Sequence, residues 1–113
     1  MLVLRNEQIE ALRESMRDAF AARVAADLRR QYSDKLRETS DPELRRLVRD
    51  AMEQSKLYGV ASEADVRRYV EYAVEFGSDF DQSAWARPVL IGTGTGTEKM
   101  DELDAYATFE LRA

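Results

Sequence analysis

No glycine or proline occurs before Pro42 in this chain of 113 residues, and the whole sequence holds only five glycines and two prolines. A stretch of that length without a helix breaker, carrying apolar residues three and four apart, has little choice but to form a long helix. Ile9, Leu12, Met16, Phe20, Val24, Leu28 and Tyr32 trace one face of it. Ala19, Ala21, Ala22, Ala25 and Ala26 add helical propensity and permit close packing. The spacing predicts a helix over 6–32.

Punctuation then divides the rest of the chain. Ser40-Asp41-Pro42-Glu43 is a capping box, with proline in the first turn where its missing N–H costs nothing. It opens a helix over 41–58, whose stripe is Leu44, Leu47, Val48, Ala51, Met52, Ser55 and Tyr58, and Gly59 stops it. Ser62 caps a third helix over 62–76, with Asp65 at the third helical position and Val66, Tyr69, Val70, Ala73, Val74 and Phe76 as its apolar face. Gly77 ends that helix, 79–82 reads as a turn, and 83–91 reads as a short helix limited by Pro88. After a flexible loop at Gly92-Thr93-Gly94-Thr95-Gly96-Thr97, a last helix over 97–111 is capped by Thr97 and buries Met100, Leu103, Ala107 and Leu111. No repeat and no two-residue alternation is present. The expectation is an all-α chain, with 1–113 forming a single compact domain of four main helices plus one short helix.

Composition narrows the chemistry. The chain is 44% hydrophobic and 35% charged, which suits helices with one apolar stripe and a solvated opposite face. It has no cysteine and no histidine. Disulfides, thiol nucleophiles and zinc fingers are therefore excluded, and the commonest general base and metal ligand are missing. These absences point away from an enzyme, and no cofactor is expected. A net charge of −5 disfavours nucleic acid, whose phosphates call for clustered Lys and Arg. The arginines of the first helix (Arg13, Arg17, Arg23, Arg29, Arg30) interleave with Glu10, Glu14, Asp18 and Asp27, which makes a mixed surface. No apolar run is long enough for a membrane span, so no membrane is expected. The start, Met-Leu-Val-Leu-Arg-Asn, lacks the basic opening and longer apolar core of a signal peptide, and cytoplasmic synthesis is the expectation.

Several candidate sites fail on their own spacing. The glycine-threonine loop, 92–97, precedes a helix and offers backbone N–H groups to an anion, but it matches neither the dinucleotide fingerprint nor the P-loop. Asp79, Asp81 and Ser83 have the one-three-five spacing of a calcium loop, yet Ala84 stands where glycine is required and Leu90 where glutamate is required. Asp79 and Asp81 read instead as turn caps, with Phe80 and Trp85 as core plugs between the third and last helices. Glu71 with Glu75, and Asp101 with Asp104, could be drawn as acid–base pairs, but without a pocket to separate their pKa values they read as solvated faces. The aromatic excess is more informative. Tyr72 falls off the Val66–Val70–Val74 line, and Tyr69, Tyr72, Phe76, Phe80 and Trp85 form the candidate protein interface.

Those residues also carry a resemblance. Met1-Leu2-Val3-Leu4-Arg5, Glu7-Gln8-Ile9, Ala11-Leu12, Phe20, Arg23-Val24 and Leu28-Arg29 resemble small uncharacterised all-helical bacterial proteins encoded beside type VI secretion spike and toxin genes. So do Tyr58-Gly59-Val60, Ser62-Glu63, Asp65-Val66, Arg68-Tyr69, Phe76-Gly77, Asp79-Phe80-Asp81, Trp85-Ala86-Arg87 and Gly96-Thr97-Glu98-Lys99-Met100-Asp101. The chain departs from that pattern at Asp27, where histidine is common, and at Ser33, where proline often ends the first helix. The resemblance implies an accessory protein, an adaptor or chaperone, whose partner is a secreted effector, toxin or spike component. It also admits export with that cargo, and self-association as a homo-oligomer. An acidic immunity protein that neutralises a basic toxin is the alternative, and a small carboxylate-based enzyme a more distant one. The resemblance transfers no catalytic, cofactor or metal residue.

Overall fold

A computed structural model describes residues 5–112, so the Met1–Leu4 portion of the resemblance lies outside the described residues. The chain is all-α: five helices, one 3-10 turn and one π-helical turn, with no strand among the described residues. In chain order these are α1 (Asn6–Gln31), α2 (Asp41–Leu57), α3 (Glu63–Phe76), a 3-10 turn (Phe80–Gln82), α4 (Arg87–Leu90), α5 (Gly96–Tyr106) and the π turn (Ala107–Leu111). The chain falls into two compact units, Met1–Val48 and Arg49–Ala113.

In the first unit, α1 has 26 residues and is therefore ~39 Å long at the usual helical rise. Burial is confined to its second half, at Ala21, Val24, Ala25 and Leu28. Leu12 and Met16, expected in the buried stripe, are 53% and 63% exposed. The apolar periodicity is present along the whole helix, but coverage begins only at Ala21. Arg29 fixes the return of the chain, donating to the Leu36 carbonyl (2.7 Å) and to the Asp41 carboxylate (2.7 Å) at the start of α2. The Ser40 hydroxyl accepts from the Glu43 N–H (3.2 Å), as the capping box requires.

In the second unit, Gly59 (φ +75°) and Gly77 (φ +103°) adopt the left-handed backbone that ends α2 and α3, a region other residues reach only with strain. Ser62 caps α3 by accepting from the Asp65 N–H (3.2 Å). Two sequence expectations are corrected further on. Pro88 lies in the first turn of a helix that starts only at Arg87, because an interior proline would remove a hydrogen bond and clash with the preceding turn. Residues 83–86, expected in that helix, form a bend and a turn instead. The last helix is capped by Thr95 rather than Thr97: its hydroxyl accepts from the Glu98 N–H while Glu98 accepts from the Thr95 N–H, both at 3.1 Å.

Gly96 shows why α5 starts there. A β-carbon on it would stand 2.5 Å from the Gly59 carbonyl oxygen and 2.9 Å from the Val60 α-carbon. The loop first read as flexible thus ends in a backbone-on-backbone contact that only glycine allows. At the far end, the Arg112 N–H donates to the Ala107 carbonyl, a five-residue π closure. The wider turn rotates Leu111 away from the Met100–Leu103–Ala107 face, and it is 40% exposed instead of buried.

Candidate functional site

The aromatic residues chosen from the sequence do come together, around α3. Tyr69 and Tyr72 lie on that helix three residues apart, with Phe76 four beyond Tyr72. The 3-10 turn brings Phe80 onto them, with ring centroids 4.8 Å from Tyr69 and 5.6 Å from Tyr72. Trp85 follows, edge-on to Phe76 at 5.3 Å and stacked nearly parallel on Tyr106 of α5 at 5.6 Å. Phe80 and Trp85 thus sit between α3 and α5. Tyr69, Tyr72 and Phe80 are buried, while Phe76 and Trp85 keep an exposed edge. The expectation that Tyr72 leaves the buried stripe is corrected: it is 2% exposed, because α5 closes over it.

A tyrosine buried in whole or in part needs a partner for its hydroxyl, and Tyr58, Tyr69 and Tyr72 each have one. Tyr69 donates to Gln54 (2.6 Å), Tyr58 to Asp81 (2.6 Å) and Tyr72 to Asp104. Burial, reinforced by the neighbouring carboxylates, pushes all three phenols above their ordinary range; for Tyr58 and Tyr72 the carboxylate is the bonded one. Asp81 is therefore not a turn cap. It is buried, and one carboxylate oxygen accepts from Tyr58 and from the Gln82 amide (2.9 Å).

An ion-pair hub lies beside this cluster. Arg68, one turn beyond Asp65 on α3, donates to Asp65 (2.9 Å), to Asp101 (2.7 Å) and through two nitrogens to Asp104 (2.6 and 3.0 Å). Asp65 also accepts from Ser62 (2.9 Å) and from Thr97 (2.5 Å). The Thr97 hydroxyl first, and then Ser62 and Arg68, hold the Asp65 carboxyl below the usual carboxylate range against the opposing effect of burial. The three carboxylates hold the Arg68 guanidinium protonated still more firmly than usual, outweighing its burial. The arrangement ties α3 to α5. All three carboxylates of the hub are held by one cation.

The other candidates are spoken for in similar ways. Glu71 pairs with Arg67 (3.3 Å) and Glu75 with Arg112 (2.6 Å), so neither forms a dyad with the other. Asp79, Asp81 and Ser83 do not converge: Asp79 makes no side-chain cap bond, and the Ser83 hydroxyl accepts from the Ala86 N–H at 3.3 Å. No group of His, Cys, Asp and Glu able to hold a metal ion occurs among the described residues. None of the described helices is long and apolar enough to cross a membrane.

What the sequence reading missed is the exposed apolar surface. Leu12 and Met16 are one turn apart on α1, and Phe109 in the π turn is 74% exposed. A signal for the second existed. Phe109 is an aromatic among Thr108, Glu110 and Arg112, past the last fully buried position of α5. No family model, curated protein or solved structure matches the chain.

Proposed function

We propose that this chain is a protein-interaction accessory module, an adaptor or chaperone, that accompanies a bacterial type VI secretion effector or spike component. The observation that carries an interaction role is the uncovered apolar stripe of α1. Ile9, Leu12, Met16 and Phe20 follow helical spacing, and Leu12 and Met16 are more than half exposed. A paired helix face of this kind is the usual donor in helix-in-groove recognition. The association with a secretion locus rests on the sequence resemblance. In support of a binding role over a catalytic one, Arg68 engages the carboxylate hub and arginines hold Glu71 and Glu75.

Co-expression with the products of its own locus tests the reading. The chain is expected to co-purify with one of them and to lose it when Leu12 and Met16 are both changed to Asp. A chain that captures none of those products removes the proposal. Net negative charge favours one further reading, an immunity protein for a basic toxin. Rescue of growth from a co-expressed toxin would select that role over an adaptor.

A further inference from the structure

Charge is unevenly divided between the two units. Residues 1–48 hold nine acidic and ten basic side chains, a net +1, whereas 49–113 hold thirteen acidic and seven basic, a net −6. Three of the second unit's acids, Glu98, Glu102 and Glu110, lie along α5 and the π turn that follows it. Glu98, Glu102 and Tyr106 follow one another at steps of four on α5, which places them on one face, and Phe109 and Glu110 come directly after it in the π turn. All are exposed, Tyr106 by 40% and Phe109 by 74%. The nearby cations are committed elsewhere. Lys99 is buried with its Nζ on the Tyr58 carbonyl (2.9 Å), and Arg112 is paired with Glu75. Glu102 and Glu110 make no ion pair among the described residues, whereas the acids of the hub are all paired.

We infer that this stripe is a docking face for a basic amphipathic segment of a protein partner, with Phe109 and Tyr106 as apolar anchors and Glu98, Glu102 and Glu110 receiving flanking Lys or Arg. The inference rests on the interaction-module reading and names the chemistry of the partner. Two exposed aromatics alone would admit any apolar surface; the unpaired carboxylates select a cationic one. The same carboxylates disfavour an anionic membrane surface. The π turn carries Phe109 and Leu111, both exposed past the end of the buried stripe.

Trp85 supplies a built-in reporter, being the only tryptophan and stacked on Tyr106. The probe is a synthetic helical peptide with leucines at helical spacing flanked by lysine and arginine, titrated into the full chain while Trp85 fluorescence is followed. Saturable binding is expected, weakened by added salt. Phe109→Ala and, separately, Glu110→Lys should each weaken it by about tenfold. Asp50→Lys on α2, which changes net charge equally, should leave it unchanged. Circular dichroism confirms that each variant is folded. The same leucine stripe flanked by glutamate should not bind. Equal binding of both peptides, or equal loss in Asp50→Lys and Glu110→Lys, overturns the assignment. So does concentration-dependent self-association that Phe109→Ala abolishes, because a second copy would then own the face. Locus products captured equally by wild type and Phe109→Ala sink this inference alone. Capture of no locus product, with the peptide result intact, sinks only the functional reading.

Discussion

Replacing Arg68 with alanine tests the hub that joins α3 to α5. The guanidinium makes four hydrogen bonds to three carboxylates. The bond to Asp65 is the most valuable, because that side chain is only 9% exposed and would keep its charge with one fewer partner. A charged, part-buried hydrogen bond contributes about 1.5–3 kcal/mol. Asp101 and Asp104 are 65% and 44% exposed, so water and salt screen those pairs to about 0.2–1 kcal/mol each. Together the loss is ~2–5 kcal/mol. Without the cation, Asp65, Asp101 and Asp104 also repel one another across the two helices. For a domain of this size that corresponds to a fall in Tm of roughly 10–20 °C. Urea unfolding followed by circular dichroism reads the free energy directly. Arg68→Lys should recover part of the loss, since an ammonium cannot reach all three carboxylates in the planar fork geometry. An Arg68→Ala variant within about 0.5 kcal/mol of wild type would refute the reasoning, as that is the range of a neutral surface change.

Other perturbations follow from single contacts. Gly96→Ala should destabilise by about 1–3 kcal/mol in thermal melts, because its β-carbon would meet the Gly59 carbonyl at 2.5 Å; a neutral effect would show that the contact gives way freely. Asp65 has a depressed folded-state pKa, so its stabilisation is present above the unfolded value of about 4 and is lost as pH falls through the lower folded value. Asp65→Asn should therefore be less stable than wild type at neutral pH, with a gap that closes in acid; a gap independent of pH contradicts the assignment. Tyr58, Tyr69 and Tyr72 have raised values, so their contribution is present below about pH 10 and lost as pH climbs toward the folded values. A near-ultraviolet titration should show these phenols ionising late and together with unfolding, and early independent ionisation would argue against their burial.

The helices were legible because their signals are local. Ser40 through Glu43, Ser62, Gly59 and Gly77 set starts and stops through bonds within a few residues, and the structure places them there. Where two local signals competed, the outcome turned on a detail the pattern could not weigh. Thr95 and Thr97 are both able caps; Thr97 instead reaches Asp65, 32 residues away, and leaves the cap to Thr95. The candidate aromatics were legible as a cluster, since Tyr69, Tyr72 and Phe76 share a helix, but their burial depends on α5 closing over them. Asp101 and Asp104 read as a solvated pair for the same reason: the cation that engages them is 33 and 36 residues distant in sequence. Exposure was the least legible property. The periodicity of Leu12 and Met16 is identical in kind to that of Val24 and Leu28, and only the extent of the covering elements separates them.

The central claim is that the uncovered stripe of α1 is a binding surface. The most direct measurement is the affinity of the chain for the product of the neighbouring gene in its locus, compared between wild type and the Leu12→Asp, Met16→Asp double variant. Both positions are exposed, so the variant should keep its helical circular dichroism and its melting temperature while its affinity falls by about a hundredfold or more. Undiminished affinity in a folded double variant would contradict the account.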